Sequence, residues 1–554
     1  MIRRIPVPVF LLLALLVIAP LRLAQAQDIT VDGDFKLAWS LDPRAFPDLF
    51  PRGPAFGARS VLAGMDLDGD GNKEFLFTTD ETLAPQGPDP GFLDVYLYEA
   101  AGDDTYEHVW HYSHPDGSNS LPALAYGDID GDGLWEIYLG IPTIGDNQDL
   151  LIFEQDETGA FPAAPTITYG YERIADDDFR PAGFQIADVD GDGQQELVTV
   201  SRTSGRRELV VIAPDAGLDA FATFTIEFEA GEDVLGGGGV YDVDVADFDN
   251  DGRNEIWVNT WDQFSLAVFE ATGPDTYALQ AEINNYIEAN DPGSFNSHDF
   301  LFHDIDGDER LELIYPLTDG KLYFLDDLDD VSTLTGEAFA VVGTFDETAR
   351  ARGGHIGDLD GDGLLDIVAS HGTSEKVSRI EYNGTGNPAD STSYTWSILV
   401  NSEGGSVERY YPMRITDDLD GDGHNEVVLT NLYASDEGQA IIMIVEYTGM
   451  ATPIEPIDET PQAFALRQNY PNPFNPTTTI EYTLPTAEPV TLRIYNVMGQ
   501  LVRTLVHGET QPAGLYRVEW DSRNDAGALV GSGTYLYTLE TPSGRQTRVM
   551  TLLK

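Results

Sequence analysis

The sequence predicts an all-β chain in two parts, and three observations carry that expectation. A nine-residue acidic motif recurs seven times between Asp66 and Glu426, its starts 54 to 62 residues apart. The copies are followed by β-branched or aromatic runs of strand type, as in Phe75-Leu76-Phe77, Ile137-Tyr138-Leu139 and Ile256-Trp257-Val258. Past a stretch rich in Pro and acid, residues 465–554 change composition and alternate like short strands.

The chain begins with Arg3 and Arg4, an apolar run from Val7 to Ile18, and then Ala24-Gln25-Ala26. That is the layout of a cleavable secretory signal over residues 1–26, with an apolar run too short to span a membrane comfortably. No later run is long enough either, so the mature protein is expected to be soluble and exported, with no transmembrane segment.

Residues 27–450 hold the seven motifs. Copy one places Asp66, Asp68, Asp70, Asn72 and Glu74 at positions 1, 3, 5, 7 and 9. Copy two has Asp128, Asp130, Asp132, Leu134 and Glu136; copy three has Asp188, Asp190, Asp192, Gln194 and Glu196. Copy four has Asp247, Asp249, Asp251, Arg253 and Glu255; copy five has Asp304, Asp306, Asp308, Arg310 and Glu312. Copy six has Asp358, Asp360, Asp362, Leu364 and Asp366; copy seven has Asp418, Asp420, Asp422, His424 and Glu426. A hard cation such as Ca²⁺ takes six to eight oxygens, which alternate carboxylates, a backbone carbonyl at position 7 and a closing carboxylate can supply. Glycine at positions 4 and 6 permits the turn. Without a cation, four carboxylates so close would repel one another.

An EF-hand closes with Glu at position 12 between helices. Here position 12 is Phe77, Leu139, Thr199, Val258, Tyr315, Ala369 and Leu429, and strand sequence surrounds the loop, so each loop is expected to join two strands. Four strand signals per period of 54 to 62 residues read as blades of a radial array, because a repeated sheet that cannot cover its own faces does so against its neighbours. Seven motifs then predict a seven-bladed β-propeller. The last period lacks an outer strand, and Asp34-Phe35-Lys36-Leu37-Ala38-Trp39-Ser40 matches the outer-strand pattern of Tyr106 to His111, so the N-terminal strand is expected to complete blade seven.

With loop, spacing and repeat number in hand, residues 28 to 449 resemble the FG-GAP or VCBS repeat proteins, whose blades are like those of the integrin alpha-chain head. The resemblance implies that the acids at positions 1, 3, 5 and 9 of every copy are calcium ligands. Copy five departs with Glu309 at the second glycine and copy four with Asn250 at the first, the milder change because Asn tolerates left-handed backbone.

After a linker, residues 451–464, the segment 465–554 is expected to form a small Ig-like β-sandwich, with strands over 479–484, 490–495, 501–505, 514–520, 533–539 and 548–553. Asn469-Tyr-Pro-Asn-Pro-Phe-Asn-Pro476, Ile494-Tyr-Asn-Val-Met-Gly-Gln500, Ala513-Gly-Leu-Tyr516 and Gly531-Ser-Gly-Thr-Tyr535 are similar to the type A C-terminal sorting domain of the type IX secretion system. That resemblance implies a Gram-negative host, transport across the outer membrane by that machinery, and a secreted or cell-surface destination.

Formal charge divides unevenly. The signal and the C-terminal segment take 11 of the 30 basic residues, leaving 19 against 88 acids in residues 27–464. The 28 motif acids and their cations account for only part of the excess. Nucleic acid is an unsuitable partner, since it requires a basic footprint. With no cysteine, an exported chain has no disulfide framework, and calcium is expected to take the stapling role.

No cysteine nucleophile, paired zinc-type histidines or Gly-x-Ser-x-Gly elbow is present. Of the histidines at 108, 111 and 114, His108 and His111 should point to opposite faces of a strand, which argues against a shared metal. The strands entering the loops should be innermost, and their beginnings hold Arg59, Asn119, Arg180, Tyr241, His298, Arg350, Arg352, Arg409, Tyr410 and Arg414. Of these, Arg59, Arg180, Tyr241, His298, Arg350, Arg352 and Tyr410 are candidates to line a recess for an anionic glycan, or else to neutralise nearby acids. Two functions remain: a calcium-dependent, non-enzymatic binding module for glycans or proteins, or a polysaccharide lyase or hydrolase acting at the channel mouth.

Overall fold

Each acidic loop leads out of one strand and into the next, and two further strands complete a sheet before the following loop. The computed structural model describes residues 30–449 and 465–552 except 47, 51–56, 81–92, 115–121, 142–149, 171–180, 202–207, 216–217, 219–222, 236–239, 261–264, 284–298, 318–319, 346–350, 372–375, 403–409, 433–439, 467–468, 470–473, 475–477, 485, 497–499, 512–513, 521, 525–528 and 543. The expected signal (1–26) and linker (451–464) lie outside the described residues.

Among the described residues up to Gly449 there are seven antiparallel sheets. Sheet one runs Ala58–Met65, Glu74–Asp80, Leu93–Gly102 and Thr105–His114; sheet two runs Leu124–Gly127, Glu136–Gly140, Leu150–Glu154 and Ile167–Tyr169. Sheet three runs Pro181–Ala187, Glu196–Ser201, Leu209–Pro214 and Phe224–Ala230; sheet four runs Val240–Ala246, Glu255–Thr260, Ser265–Gly273 and Thr276–Ile283. Sheet five runs Leu301–His303, Glu312–Pro316, Lys321–Leu325 and Phe339–Thr344; sheet six runs Ala351–Gly357, Asp366–His371, Lys376–Tyr382 and Tyr394–Asn401. Sheet seven takes Tyr410–Thr416, Glu426–Asn431 and Ile442–Tyr447 from late in the unit and its outer strand, Phe35–Leu41, from the beginning. Phe35 pairs with Tyr447 and Leu41 with Ile442, while the preceding Thr30–Val31 pairs with Tyr394–Asn401, so the N-terminal segment ties sheet six to sheet seven.

The strand sequences follow from where each strand sits. Second strands such as Glu196–Ser201 and Glu426–Asn431 are buried throughout because a neighbouring sheet covers each face, so they are rich in Leu and Val, and their polar residues such as Thr199 and Asn431 are buried with them. Outer strands such as Thr276–Ile283 alternate, with Tyr277, Ala281 and Ile283 turned inward.

Seven apolar clusters fill the seams. Sheets one and two share Leu76, Leu97, Trp110 and Phe153; two and three share Tyr138, Ile152 and Val210; three and four share Val198, Val211 and Phe269. Sheets four and five share Trp257, Phe300 and Tyr315; five and six share Phe324, Ile367 and Tyr394; six and seven share Phe35, Val368 and Val427. The last seam, with Leu41, Phe75, Tyr96, Val428 and Ile444, joins sheet seven back to sheet one. The first strands form the inner circle, and that of sheet seven lies against that of sheet one.

One local expectation is overturned. His108 and His111 lie on the same side of their strand, ring centroids 6.2 Å apart and both against Tyr96, because a register shift between Leu97 and Tyr98 leaves Val109 as an extra residue.

The second unit has two sheets. One pairs Ala465–Leu466, Thr478–Leu484 and Gly514–Trp520, and the other runs Leu501–Gln511, Glu488–Asn496, Gly533–Thr541 and Gly544–Leu552. Tyr482, Ile494, Trp520 and Tyr537 fill its core at 0% exposure. Among the described residues no helix is long and apolar enough to cross a membrane.

Candidate metal centres and the central cavity

Within a loop, backbone amides pin the carboxylates. In copy two the amides of Asp132 and Gly133 donate to Asp128 at 3.0 Å each, and the Leu134 amide donates to Asp132 at 2.8 Å. The turn requires left-handed backbone at positions 4 and 6, where Gly131 and Gly133 have φ of 70° and 89°. Asn250 and Glu309 adopt the same region at 58° and 73°, so copies four and five keep the turn despite the missing glycines. In copy five the Glu309 amide still reaches Asp304 at 2.9 Å.

Position 9 closes each loop as the first residue of the second strand. One oxygen of Glu74, Glu136, Glu196, Glu255, Glu312, Asp366 and Glu426 accepts the amide of the position-2 residue, at 2.6 to 3.0 Å. The other oxygen of Glu74, Glu136, Glu255 and Glu426 is buried and carries no hydrogen bond. These side chains are at most 2% exposed. Burial, with the loop's other carboxylates adding to it, pushes the six glutamates up to about 8. An ionised carboxylate with a bare, buried oxygen is costly, and a cation at that point removes the cost.

Four-acid groups come together at Asp128/Asp130/Asp132/Glu136, Asp247/Asp249/Asp251/Glu255 and Asp418/Asp420/Asp422/Glu426, with one ligand atom from each within 4.8 Å of the others. Asp66, Asp68 and Asp70 form a further group. These residues have the donor chemistry of a hard-cation site: all oxygen, mostly anionic, with an unsatisfied inward atom. Position 3 faces the seam. Asp130 accepts the Leu218 amide at 2.6 Å, Asp190 that of Asp275 at 2.6 Å, Asp249 that of Val331 at 3.0 Å, and Asp420 that of Asp104 at 2.6 Å, each donor belonging to the next sheet round. Position-7 side chains differ from loop to loop: Asn72 donates to Asp70 at 3.0 Å and Arg253 pairs with Asp251 and Glu270, whereas Arg310 pairs with Asp327 and with Asp329 at 3.1 Å.

The first strands of all seven sheets line one cavity of about 420 Å³. Of the residues expected there, Arg59 is 5% exposed and lines it, as does Arg414. Tyr241, Arg352 and Tyr410 lie on first strands. Asn119, Arg180, His298, Arg350 and Arg409 fall outside the described residues.

Sequence reasoning missed the cavity's acids. Asp242, Asp244 and Asp299 line it, with the Arg414 guanidinium 3.7 Å from Asp299 and the Gly354 amide donating to Asp299 at 3.1 Å. Burial pushes Asp244 up to about 7 and Asp299 to about 6; burial and the two other carboxylates raise Asp242. His355 accepts the Ile415 amide on Nδ1 at 3.2 Å, which fixes a neutral ring, and burial drives it down to about 3. The alternation of Asp242 and Asp244 along Val240–Ala246 was a readable sign that both share a face. Asp299 had none, because its place depends on the packing of sheets.

Residues 30–139 match the FG-GAP-like repeat family, and residues 475–545 match the FlgD Ig-like domain. No curated protein sequence matches the chain. Among solved structures the chain is similar to PorZ, a surface component of the type-IX secretion system of Porphyromonas gingivalis, at 13% identity and TM-score 0.35, covering 86% of this chain and 58% of that one. It thus spans less than two thirds of PorZ. It is also similar to rhamnogalacturonan lyase PL11 of Bacillus licheniformis, at 16% identity and TM-score 0.37 over 71% of each chain. Rhamnogalacturonan lyase YesW is similar at 14% identity and TM-score 0.37, over 71% of this chain and 72% of that one.

Proposed function

We propose that this chain is an exported, seven-bladed β-propeller stapled by calcium, which acts as a non-enzymatic binding module for a glycan or protein at or outside the cell surface. The observation that carries the calcium reading is the buried, bare oxygen of the closing glutamate in four loops, at Glu74, Glu136, Glu255 and Glu426, the last three lying where the other motif acids converge. A cation held there by Asp and Glu oxygens would neutralise the cluster, and the position-3 acids would pass that rigidity to the adjoining blade. The motifs at 469–476, 494–500, 513–516 and 531–535 support a role for residues 465–554 as a type IX sorting domain. The central cavity, with Arg59 and Arg414 beside the buried acids, is the candidate ligand recess.

The enzymatic reading draws on Asp242, Asp244 and Asp299. Carboxyls whose proton is held to about pH 6 or 7 can act as acids near neutrality, and a polysaccharide lyase or hydrolase needs such groups. Incubating the protein with neutral and acidic polysaccharides in calcium separates the two. Retention without new reducing or unsaturated ends, lost on chelation, is the expected result; product formation that Asp244→Asn abolishes would replace the binding reading with the enzymatic one.

A further inference from the structure

Loop six is built differently from its six counterparts. In every sheet, the residue two positions past the closing acid pairs with a residue of the third strand. That partner is Leu97, Ile152, Val211, Val268, Phe324 and Ile444 in sheets one to five and seven, each buried and apolar. In sheet six it is Arg379, opposite Val368. Its Nε donates to Asp366 at 2.7 Å, and its Nη2 donates to Asp360 and to Glu381 at 2.6 Å each. Asp366 and Asp360 are positions 9 and 3 of the motif. The Asp366 oxygen held by Arg379 corresponds to the one that Glu74, Glu136, Glu255 and Glu426 leave bare. The closing acid is Asp only in this copy, one methylene shorter, which leaves room for a guanidinium. Arg253 and Arg310 leave the closing carboxylate itself untouched: Arg253 holds Asp251, position 5 of its loop, and Glu270 across the strand pair, while Arg310 pairs with Asp327 outside the motif.

We infer that the Arg379 guanidinium serves as the resident cation of loop six, so that this loop closes without calcium. The inference rests on the reading of the other loops as calcium sites. Arginine keeps its charge at every accessible pH and binds carboxylates in a fixed fork, so it neutralises Asp360 and Asp366 permanently. A divalent ion at the same two acids would meet that charge at close range. The location gives the exchange a purpose. The Arg379 guanidinium lies 5.4 Å from the ring centre of Phe35, the first residue of the strand that completes sheet seven. The seam sealed by the N-terminal segment is thereby held by a covalently attached cation rather than an exchangeable one.

The test is a calcium count on the full chain by equilibrium dialysis and metal analysis, comparing the parent with Arg379→Gln. The expected result is one more ion per chain in the variant. Equal, non-zero counts would overturn the inference and leave the calcium reading standing, whereas no calcium on either protein would defeat both. Should the variant not fold, crystals of the parent grown with terbium give the answer directly. Anomalous density is expected at loops with a bare closing glutamate and none at loop six, and a peak among Asp358, Asp360 and Asp362 would overturn the inference.

Discussion

The backbone amide of Asp104 donates to the Asp420 carboxylate at 2.6 Å, joining the outer hairpin of sheet one to the acidic loop of sheet seven across 316 positions of the chain. The same bond recurs between Leu218 and Asp130, Asp275 and Asp190, and Val331 and Asp249. The acidic loops are therefore parts of the seams. Calcium removal is expected to weaken contacts between sheets, each occupied site contributing about 2.7 kcal/mol at a hundredfold excess over Kd. Calorimetry with and without chelator checks this, and an unchanged melting temperature would count against it.

Glu136→Gln should act in opposite directions in the two conditions. With calcium present the variant loses one bound ion and melts earlier. With chelator, at a pH above 8 where the Glu136 carboxyl is ionised, it melts later than the parent, because a neutral amide replaces a buried charge beside Asp128 and Asp130. Paired melting curves check the crossover.

Glu309 holds a left-handed φ of 73° where five of the other copies have glycine at both special positions. A side chain there costs about 1–2 kcal/mol, partly offset by the greater freedom of an unfolded glycine. Glu309→Gly is expected to raise stability by roughly 1 kcal/mol, read as a higher urea midpoint with the slope unchanged.

The cavity sets a pH window. Asp244 is raised from its ordinary 3.8 to about 7, so the stability it contributes is complete at acid pH and lost as pH climbs through 7. His355 is lowered from 6.5 to about 3, so its contribution is present above pH 6.5 and lost as pH falls toward 3. Asp244→Asn should raise the melting temperature at pH 8 and leave it unchanged near pH 4; His355→Gln should flatten the acid side only. Scans across pH 3 to 9 would reveal either failure.

Much of the first unit was legible because its signals are local. The motif fixes a turn, the turn fixes two strands, and the β-branched runs state that both faces are covered. The segment Asp34 to Ser40 could be assigned to the last period because that period lacks an outer strand and the segment matches the pattern of Tyr106 to His111. The His108 and His111 geometry was misread because strict alternation fails at a bulge, and nothing in Glu107-His108-Val109-Trp110 announces one. Arg379 was invisible for a different reason: its partners Asp360 and Asp366 lie in a loop 13 to 19 residues earlier, and only strand register shows that sheet six places a cation where the six other sheets place an apolar residue. Asp242, Asp244 and Asp299 meet only where separate sheets converge.

The pairing of Phe35 with Tyr447 also sets a clock. Synthesis at about 5–20 residues per second places roughly 20–80 s between the two ends of that strand pair. Through that interval Trp39 and Leu41 are present without the edge they belong to, although the six sheets between can each form as they emerge. A strand made at the outset is thus the last to be sheltered, and a nascent chain stays unsealed until nearly all of its first 450 residues exist.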